Sequence, residues 1–493
     1  LLSPWFGRRP EAGSLRAAVR GNRLFTVVLL AGVLLRVVTM LGFPPALWFN
    51  DSYDFLRIAN DPFPHQLRPS GYGLFLWLLK PFHSLTLVTI LQHAAVVGIA
   101  VLGYRMLVRD FEVRRHWAAL AVAPVLLDAF QIELEHLLLS DTLFTVLVFG
   151  AMLLMARPGA TGWRRAAVVG ALLGLASVTR TVGVPLFVIV VLFLVMRRTR
   201  WTAYVALGAA FVVPLGGYAT WYKSEHGRFG MSGVDGIFLW GRTAAFADCD
   251  AHRPPPELAR LCPYGAADDR PASSHQIWEA NSPTGWTDGE PFPAETNALA
   301  QRFAVWAIMN QPLDYARVVA YDFFVRTFAW NREPYPTVGT EARYHFPTEA
   351  RTHKDLPVIG GGHRIEVVQE YAHDSGRTRI VSPYADVMRW YQEHVRVPGT
   401  VLGVVLLAGA AGMVWRRARP RTFLFWSSAV TLLAVPPVTV DFDYRYMLPA
   451  MPFACFAAAM AWGRGRPAKP SRRGGEPDEP GAERESDAEP ART

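Results

Sequence analysis

The sequence predicts an all-α polytopic membrane protein with about ten spanning helices and a mixed extracytoplasmic domain inserted between helices 7 and 8. Three observations predict it. Apolar residues make up 51% of the chain and charged residues only 18%, against roughly 25% charged in soluble chains. The apolar residues gather into runs of spanning length. Basic residues cluster in every second gap between those runs, while acids fill the others.

Short cytoplasmic loops retain Lys and Arg, so this alternation fixes a topology. Arg8, Arg9, Arg16, Arg20 and Arg23 precede the first run, and Arg105, Arg109, Arg114 and Arg115 fill a later gap. Further clusters lie at 157–165, 197–200, 416–421 and 464–473. The intervening gaps carry Asp51 and Asp54, then Asp128, Glu133, Glu135 and Asp141, then Asp441 and Asp443. The acidic loops therefore face outward. The +9 net charge reads as orientation and contact with anionic lipid, with no nucleic-acid partner.

Residues 1–23 form a cytoplasmic segment and 24–41 the first span. No small-x-small cleavage site closes that span before Gly42-Phe43-Pro44, so it is not an obvious signal peptide. The first outer loop, 42–85, includes an apolar stretch at 71–82 that is too short to cross. Spans two to four fall at 86–108, 117–127 and 136–155. The run 166–196 exceeds the roughly 20 residues of one span. As a hairpin turning at Thr179-Arg180-Thr181 it keeps both flanking Arg clusters inside. Span seven is 201–222, closing the core 24–223.

The segment 224–397 holds no span and lies outside. Its first part, 224–292, is rich in Gly, Pro and Asp and reads as loops. Residues 294–309 and 313–328 look helical, broken at Asn310-Gln311-Pro312, and 381–395 is a third such stretch. These helices either pack inside the outer domain or lie flat on the membrane with their aromatics at the interface. The last spans, 398–415, 423–440 and 446–462, complete the region 398–463. The tail 464–493 cannot bury a core and reads as disordered.

Of three cysteines, Cys249 and Cys262 share the outer segment, where oxidising conditions favour a disulfide. His252 is near, but zinc would need more ligands. No P-loop, GxSxG or HExxH occurs, so an ATP-driven pump is not expected. Gly170 and Gly174 form a GxxxG, which in a span means helix packing. Gly360-Gly361-Gly362 reads as a flexible turn.

The candidate chemistry lies in the outer gaps. Asp51 and Asp54, in LWFNDSYDF, share one face if the stretch is helical. Carboxylates there serve as general base or metal ligand, or they cap a helix. Glu135 and His136, with Ser140 and Asp141, flank the start of the fourth span, where ionisable groups need partners. Arg36 lies near the outer end of the first span, within reach of the interface or of a phosphate. Arg180 and Arg445 are cations on the side otherwise poor in them, which points to an anionic ligand or to ion pairs with Asp441 or Asp443.

An Arg-bearing first helix, then FNDSYDF, RPSGYGLFLWLL, HLLLSDTLFTVLV, VTRTVGVPLF and DYRYMLPAMP together resemble the membrane-embedded C-superfamily glycosyltransferases. The nearest groups are bacterial relatives of protein O-mannosyltransferases and of aminoarabinose transferases. The resemblance spans residue 36 to about 199 and the last two spans, and omits 224–397. It implies an integral-membrane enzyme of the plasma membrane, the inner membrane in bacteria, with its site on the extracytoplasmic side. It further implies transfer of a sugar from a polyprenyl-phosphate carrier to a cell-envelope glycan, lipid or protein, with inversion. Asp51 falls at the family's catalytic carboxylate, with Asp54 as second candidate. Arg180, Arg445 and Arg36 are candidates for the donor phosphate, and Glu135, His136 and Asp141 for acceptor or site-shaping roles. The family's typical Asp-Glu is Asn50-Asp51 here, which leaves a Mg or Mn ion open. A flippase or transporter of a lipid-linked saccharide would share the spans and the phosphate-binding arginines, but its charges should lie near the midplane. A non-catalytic scaffold would need no acidic first loop.

Overall fold

The structure, a computed structural model, describes residues 22–267, 270, 273–279, 281–331, 342–350, 353–415 and 420–463. Most of the first basic cluster, Arg416, Arg417 and Arg419, and the tail 464–493 lie outside the described residues. Every regular element among the described residues is helical. Among its described residues the outer domain, expected to be mixed, has helices and no strand.

The chain is a multi-pass membrane protein. Among the described residues four helices are long and apolar enough to cross a membrane: Arg23–Gly42, Leu85–Arg109, Trp201–His226 and Pro420–Thr439. The number is six if each of two bent pairs counts as one span. The other apolar helices expected to span are shorter. Ser140–Ala156 and Trp163–Thr179 have 17 residues each, and Val184–Met196 has 13. At 1.5 Å per residue these reach about 20–26 Å, short of the roughly 30 Å hydrocarbon core.

The run 166–196 does break at Arg180, between Trp163–Thr179 and Val184–Met196. The chain doubles back there, because Arg197 at the far end donates to the Gly159 carbonyl at 3.0 Å. Gly170 and Gly174 face Trp201–His226, as helix packing requires. A Cβ at Gly174 would lie 2.7 Å from the Phe211 carbonyl oxygen, so only glycine lets the helices meet.

The third span differs from expectation. Arg115–Leu127 bends by 49° into Ala129–His136. Asp128 makes the corner: its Oδ1 accepts from the Phe130 and Gln131 N–H groups, and its Oδ2 from Val397 N–H at 2.7 Å. His136 thus ends this bent pair, and the fourth apolar helix starts only at Ser140. The second bent pair, Tyr384–His394 with Gly399–Trp415, turns by 57° where the outer segment re-enters the helical body.

Residues 224–292 are not mere loops. Asp235–Ala244 and Ser273–Trp278 are helices. Ile237, Trp240, Leu261 and Phe303 join a second apolar core, separate from that of the membrane helices. The Gly and Pro content hid the apolar face of GIFLWGRTA. Ala294–Asn310 packs inside this domain, with Phe303 and Ala307 fully buried. Pro312–Ala320 buries no residue, and Leu313 and Phe324 are exposed. The packed reading thus holds for Ala294–Asn310. Cys249 and Cys262 are disulfide-bonded, with Cα atoms 6.1 Å apart. The Gly360-Gly361-Gly362 turn has φ of +94°, +91° and +83°, which glycine alone tolerates well. Arg57 holds the turn by donating to the Gly360 and Gly361 carbonyls.

Candidate functional site

The first outer loop begins with the helix Asn50–Asn60, so Asp51 and Asp54 do share one face, as their spacing predicts. Both turn into a cavity of about 1290 Å³ between the apolar helices and the outer domain. Arg68 joins them: its Nη1 meets Asp51 Oδ2 at 2.6 Å and its Nη2 meets Asp54 Oδ2 at 3.1 Å. Arg445 reaches Asp51 Oδ2 from the far end of the chain at 3.2 Å.

The electrostatics split the two carboxylates. Burial opposes the charge of Asp51, but Arg68 and then Arg445 outweigh it and hold the carboxyl well below the usual carboxylate range. Burial pushes Asp54 up to about 6; Arg68 opposes this and the Asp51 charge adds to it. His65 stays neutral, because burial, reinforced by Arg68, keeps its pKa well below the ordinary value. Its Nδ1 accepts from Leu67 N–H, which leaves the proton on Nε2, 3.7 Å from Asp54 Oδ1.

Arg180 and Arg445 converge. Both guanidiniums stand over the Tyr446 ring, at 5.2 and 5.5 Å, and both line the cavity. Fully buried Asp141 pairs with Arg180 and does not line the cavity. Asp443 caps the short helix Tyr444–Met447 by accepting from Arg445 N–H, and takes the Tyr344 hydroxyl at 2.8 Å. Arg68 and Arg445 thus hold Asp51, Arg68 also holds Asp54, and Arg180 lines the same cavity on Asp141. Below them the cavity wall turns apolar, with Phe144, Val182, Leu432, Val435, Pro436 and Pro449.

Arg36 is a correction. It does not line the cavity. All five of its N–H donors are taken: two by Glu135 at 2.6 and 2.7 Å, three by the Gly32, Val125 and Leu126 carbonyls. Glu135 also accepts from Gln131 and pairs with His93 at 2.8 Å. His136 meets the Phe43 carbonyl at 2.9 Å and His93 at 3.2 Å. Neither Glu135 nor His136 lines the cavity, so the acceptor role assigned to them is withdrawn. Their network anchors the loop that leads to Asp51: Leu47 N–H donates to the His136 carbonyl at 2.9 Å. A buried Arg needs a partner for every donor, and here the fold supplied all of them before any ligand.

Arg68 is the residue that sequence reasoning left without a role. Its signal was a cation in a loop defined by acids. Arg343, Arg364 and Lys354 also line the cavity and come from the outer segment that the motifs do not cover. A metal does not fit the donor set. Arg68 and Arg445 already neutralise the carboxylates, and among the described residues no three His, Cys, Asp or Glu could share an ion.

No protein-family profile matches the chain, and no curated protein does. Two solved structures are similar. The oligosaccharyltransferase of Archaeoglobus fulgidus, in its apo form, aligns with 89% of this chain at 11% identity and a TM-score of 0.35. This chain spans 50% of that protein's length. ArnT from Cupriavidus metallidurans, bound to undecaprenyl phosphate, aligns with 90% of this chain and 77% of its own, at 15% identity and a TM-score of 0.27.

Proposed function

We propose that the protein is a membrane glycosyltransferase that moves a sugar from a polyprenyl-phosphate carrier to an extracytoplasmic acceptor. The observation that carries this reading is one cavity in which Asp51 and Asp54 are paired by Arg68 and Arg445, with Arg180 and an apolar wall lining the same space. Polyprenyl phosphate has matching parts. Its phosphate suits the bidentate donors of Arg68, Arg180 and Arg445. Its first isoprenes suit the wall at Phe144, Leu432 and Val435.

The transfer needs few groups. The acceptor hydroxyl oxygen attacks the anomeric carbon from the face opposite the phosphate. The bond from that carbon to the phosphate oxygen breaks, and its electron pair leaves with the polyprenyl phosphate. The hydroxyl proton passes to a carboxylate, for which we assign Asp51. The arginines stabilise charge that grows on the leaving oxygen as the sugar becomes oxocarbenium-like. No acid is needed, because a phosphate leaves without protonation.

Before the donor binds, Asp51 is a weak base, since two arginines favour its charged form. An arriving phosphate offsets those positive charges and raises the basicity of Asp51. The base is thus switched on by the donor. Asp54, pushed up to about 6, shares Arg68 and keeps it aimed at the pair.

The test is release of polyprenyl phosphate from synthetic polyprenyl-phosphate hexoses and pentoses by the protein in lipid nanodiscs. Release that disappears in Asp51→Asn, with undecaprenyl phosphate still bound, supports the transferase. Binding with no release from any donor, and no effect of Asp51→Asn, would instead favour a flippase.

A further inference from the structure

The cavity has a second pole, opposite in chemistry to the arginines. The outer domain turns Trp278 and Trp286 into it, edge to face, with ring centres 4.7 Å apart. Both rest on the buried Phe292, at 6.0 and 5.2 Å, so the domain's own apolar core fixes their position. Glu279 and Asp288, next to them in the chain, line the same cavity, as do Asp235 and Gln301, and all four accept hydrogen bonds. The wall is also tied to the catalytic loop. Gln66 donates to the Phe292 carbonyl at 2.6 Å and accepts its N–H at 2.7 Å, two residues before Arg68.

We propose that this pole binds the acceptor and that the acceptor is a neutral or amine-bearing glycan; the inference rests on the transferase reading above. A sugar ring presents a C–H face, which stacks on an indole, and a rim of hydroxyls, which donate to carboxylates. The two indoles and the surrounding acids supply both. An anionic lipid acceptor would meet Glu279 and Asp288 beside the indoles, whose charges repel phosphate, while Asp235 is paired with Arg228 at 3.6 Å. The pole also belongs to the outer-domain core rather than to the membrane helices, so a lipid acceptor would find little apolar wall there. A peptide bound by strand addition would need a free sheet edge, and the described residues of this domain offer only helices and loops. The donor sugar is one bond from the phosphate and so belongs beside Arg68 and Arg445. The second pole is left for the acceptor.

The experiment uses the full chain in nanodiscs and an array printed with bacterial envelope oligosaccharides, Ser/Thr peptides and anionic lysolipids. Undecaprenyl phosphate binding is measured in parallel. The expected result is retention on oligosaccharides, weakened about tenfold or more by Trp278→Ala and by Trp286→Ala. Trp278→Phe and Trp286→Phe should recover part of it, which separates lost stacking from lost folding. Undecaprenyl phosphate binding should hold in all four variants. Retention on peptides or lysolipids instead of sugars, no retention at all, or sugar binding indifferent to both alanines overturns the proposal. So does loss of undecaprenyl phosphate binding in the Trp variants, which would assign the wall to the donor. If the wild type binds sugars but not undecaprenyl phosphate, the transferase reading fails and the glycan site stands.

Discussion

Arg445 Nη1 lies 3.2 Å from Asp51 Oδ2, although 394 residues separate them in the chain. The contact joins the first outer loop to the threshold of the last apolar helix. It puts the proposed base and a proposed phosphate ligand in one ion pair, so each sets the state of the other.

Arg445→Ala should therefore act twice. Loss of a charged hydrogen bond should weaken undecaprenyl phosphate binding by roughly 1.5–3 kcal/mol. The Asp51 pKa should rise, because one of the two cations that lower it is gone. Native mass spectrometry of the lipid complex reads the first effect. Unchanged affinity would remove Arg445 from the phosphate site.

Asp51→Asn should reduce transfer about 10²–10⁴-fold, the usual contribution of a general base, while donor binding survives. Transfer at the wild-type rate would falsify the assignment. Asp54 gives a separate pH signature. Its pKa is raised to about 6, so it is charged above that value and protonates as pH falls through it. Its hold on Arg68 weakens with protonation, and kcat/KM should decline on the acid side near pH 6. In Asp54→Asn that decline should move to lower pH; an unmoved limb assigns it to another group.

Arg36 gives the opposite contrast. Its partners are Glu135 and three carbonyls. Arg36→Ala leaves a buried carboxylate short of its main partner and should cost about 3–5 kcal/mol of stability. The protein that still folds should bind undecaprenyl phosphate like the wild type. A thermal shift beside a lipid titration separates the two. Intact stability with lost lipid binding would restore Arg36 to the phosphate site.

Arg242 and Asp322 form a buried pair beneath the outer domain, with Arg326 on the second Asp322 oxygen at 3.0 Å. Arg242 also reaches the Pro437 carbonyl at 3.5 Å, which fastens the domain to Pro420–Thr439. Arg242→Ala should cost about 3–5 kcal/mol, because it strips charge from one side of a buried ion. The double change Arg242→Met with Asp322→Leu should recover much of that. Protease cleavage of the outer segment reports it, and equal cleavage in the single and double variants would remove the pair's role as a fastener.

Topology has its own test. Cysteines introduced at Gly162 and Gly265, in a background lacking the native thiols, should label from opposite faces of the membrane. Labelling from the same face would sink the hairpin at Arg180 and invert every later assignment.

The sequence by itself determined the helical membrane class, the turn at Arg180, the Gly170 and Gly174 packing face and the Cys249–Cys262 bond. Each follows from local chemistry: apolar period, charge bias, small side chains and the company a cysteine keeps. It also marked Asp51, Asp54, Arg180 and Arg445, since charges at the ends of apolar runs stand out against their surroundings. Only the tertiary structure decided their partners. Arg36 looks as available as Arg445 in the sequence, yet the fold closes one on Glu135 and turns the other to Asp51. Arg68 drew no notice among loop residues until the fold brought both carboxylates to it. Trp278 and Trp286 lay in a stretch whose Gly and Pro content masked an ordered wall. An ion pair depends on what arrives from elsewhere in the chain, over separations of up to 394 residues, and a local pattern does not carry that information.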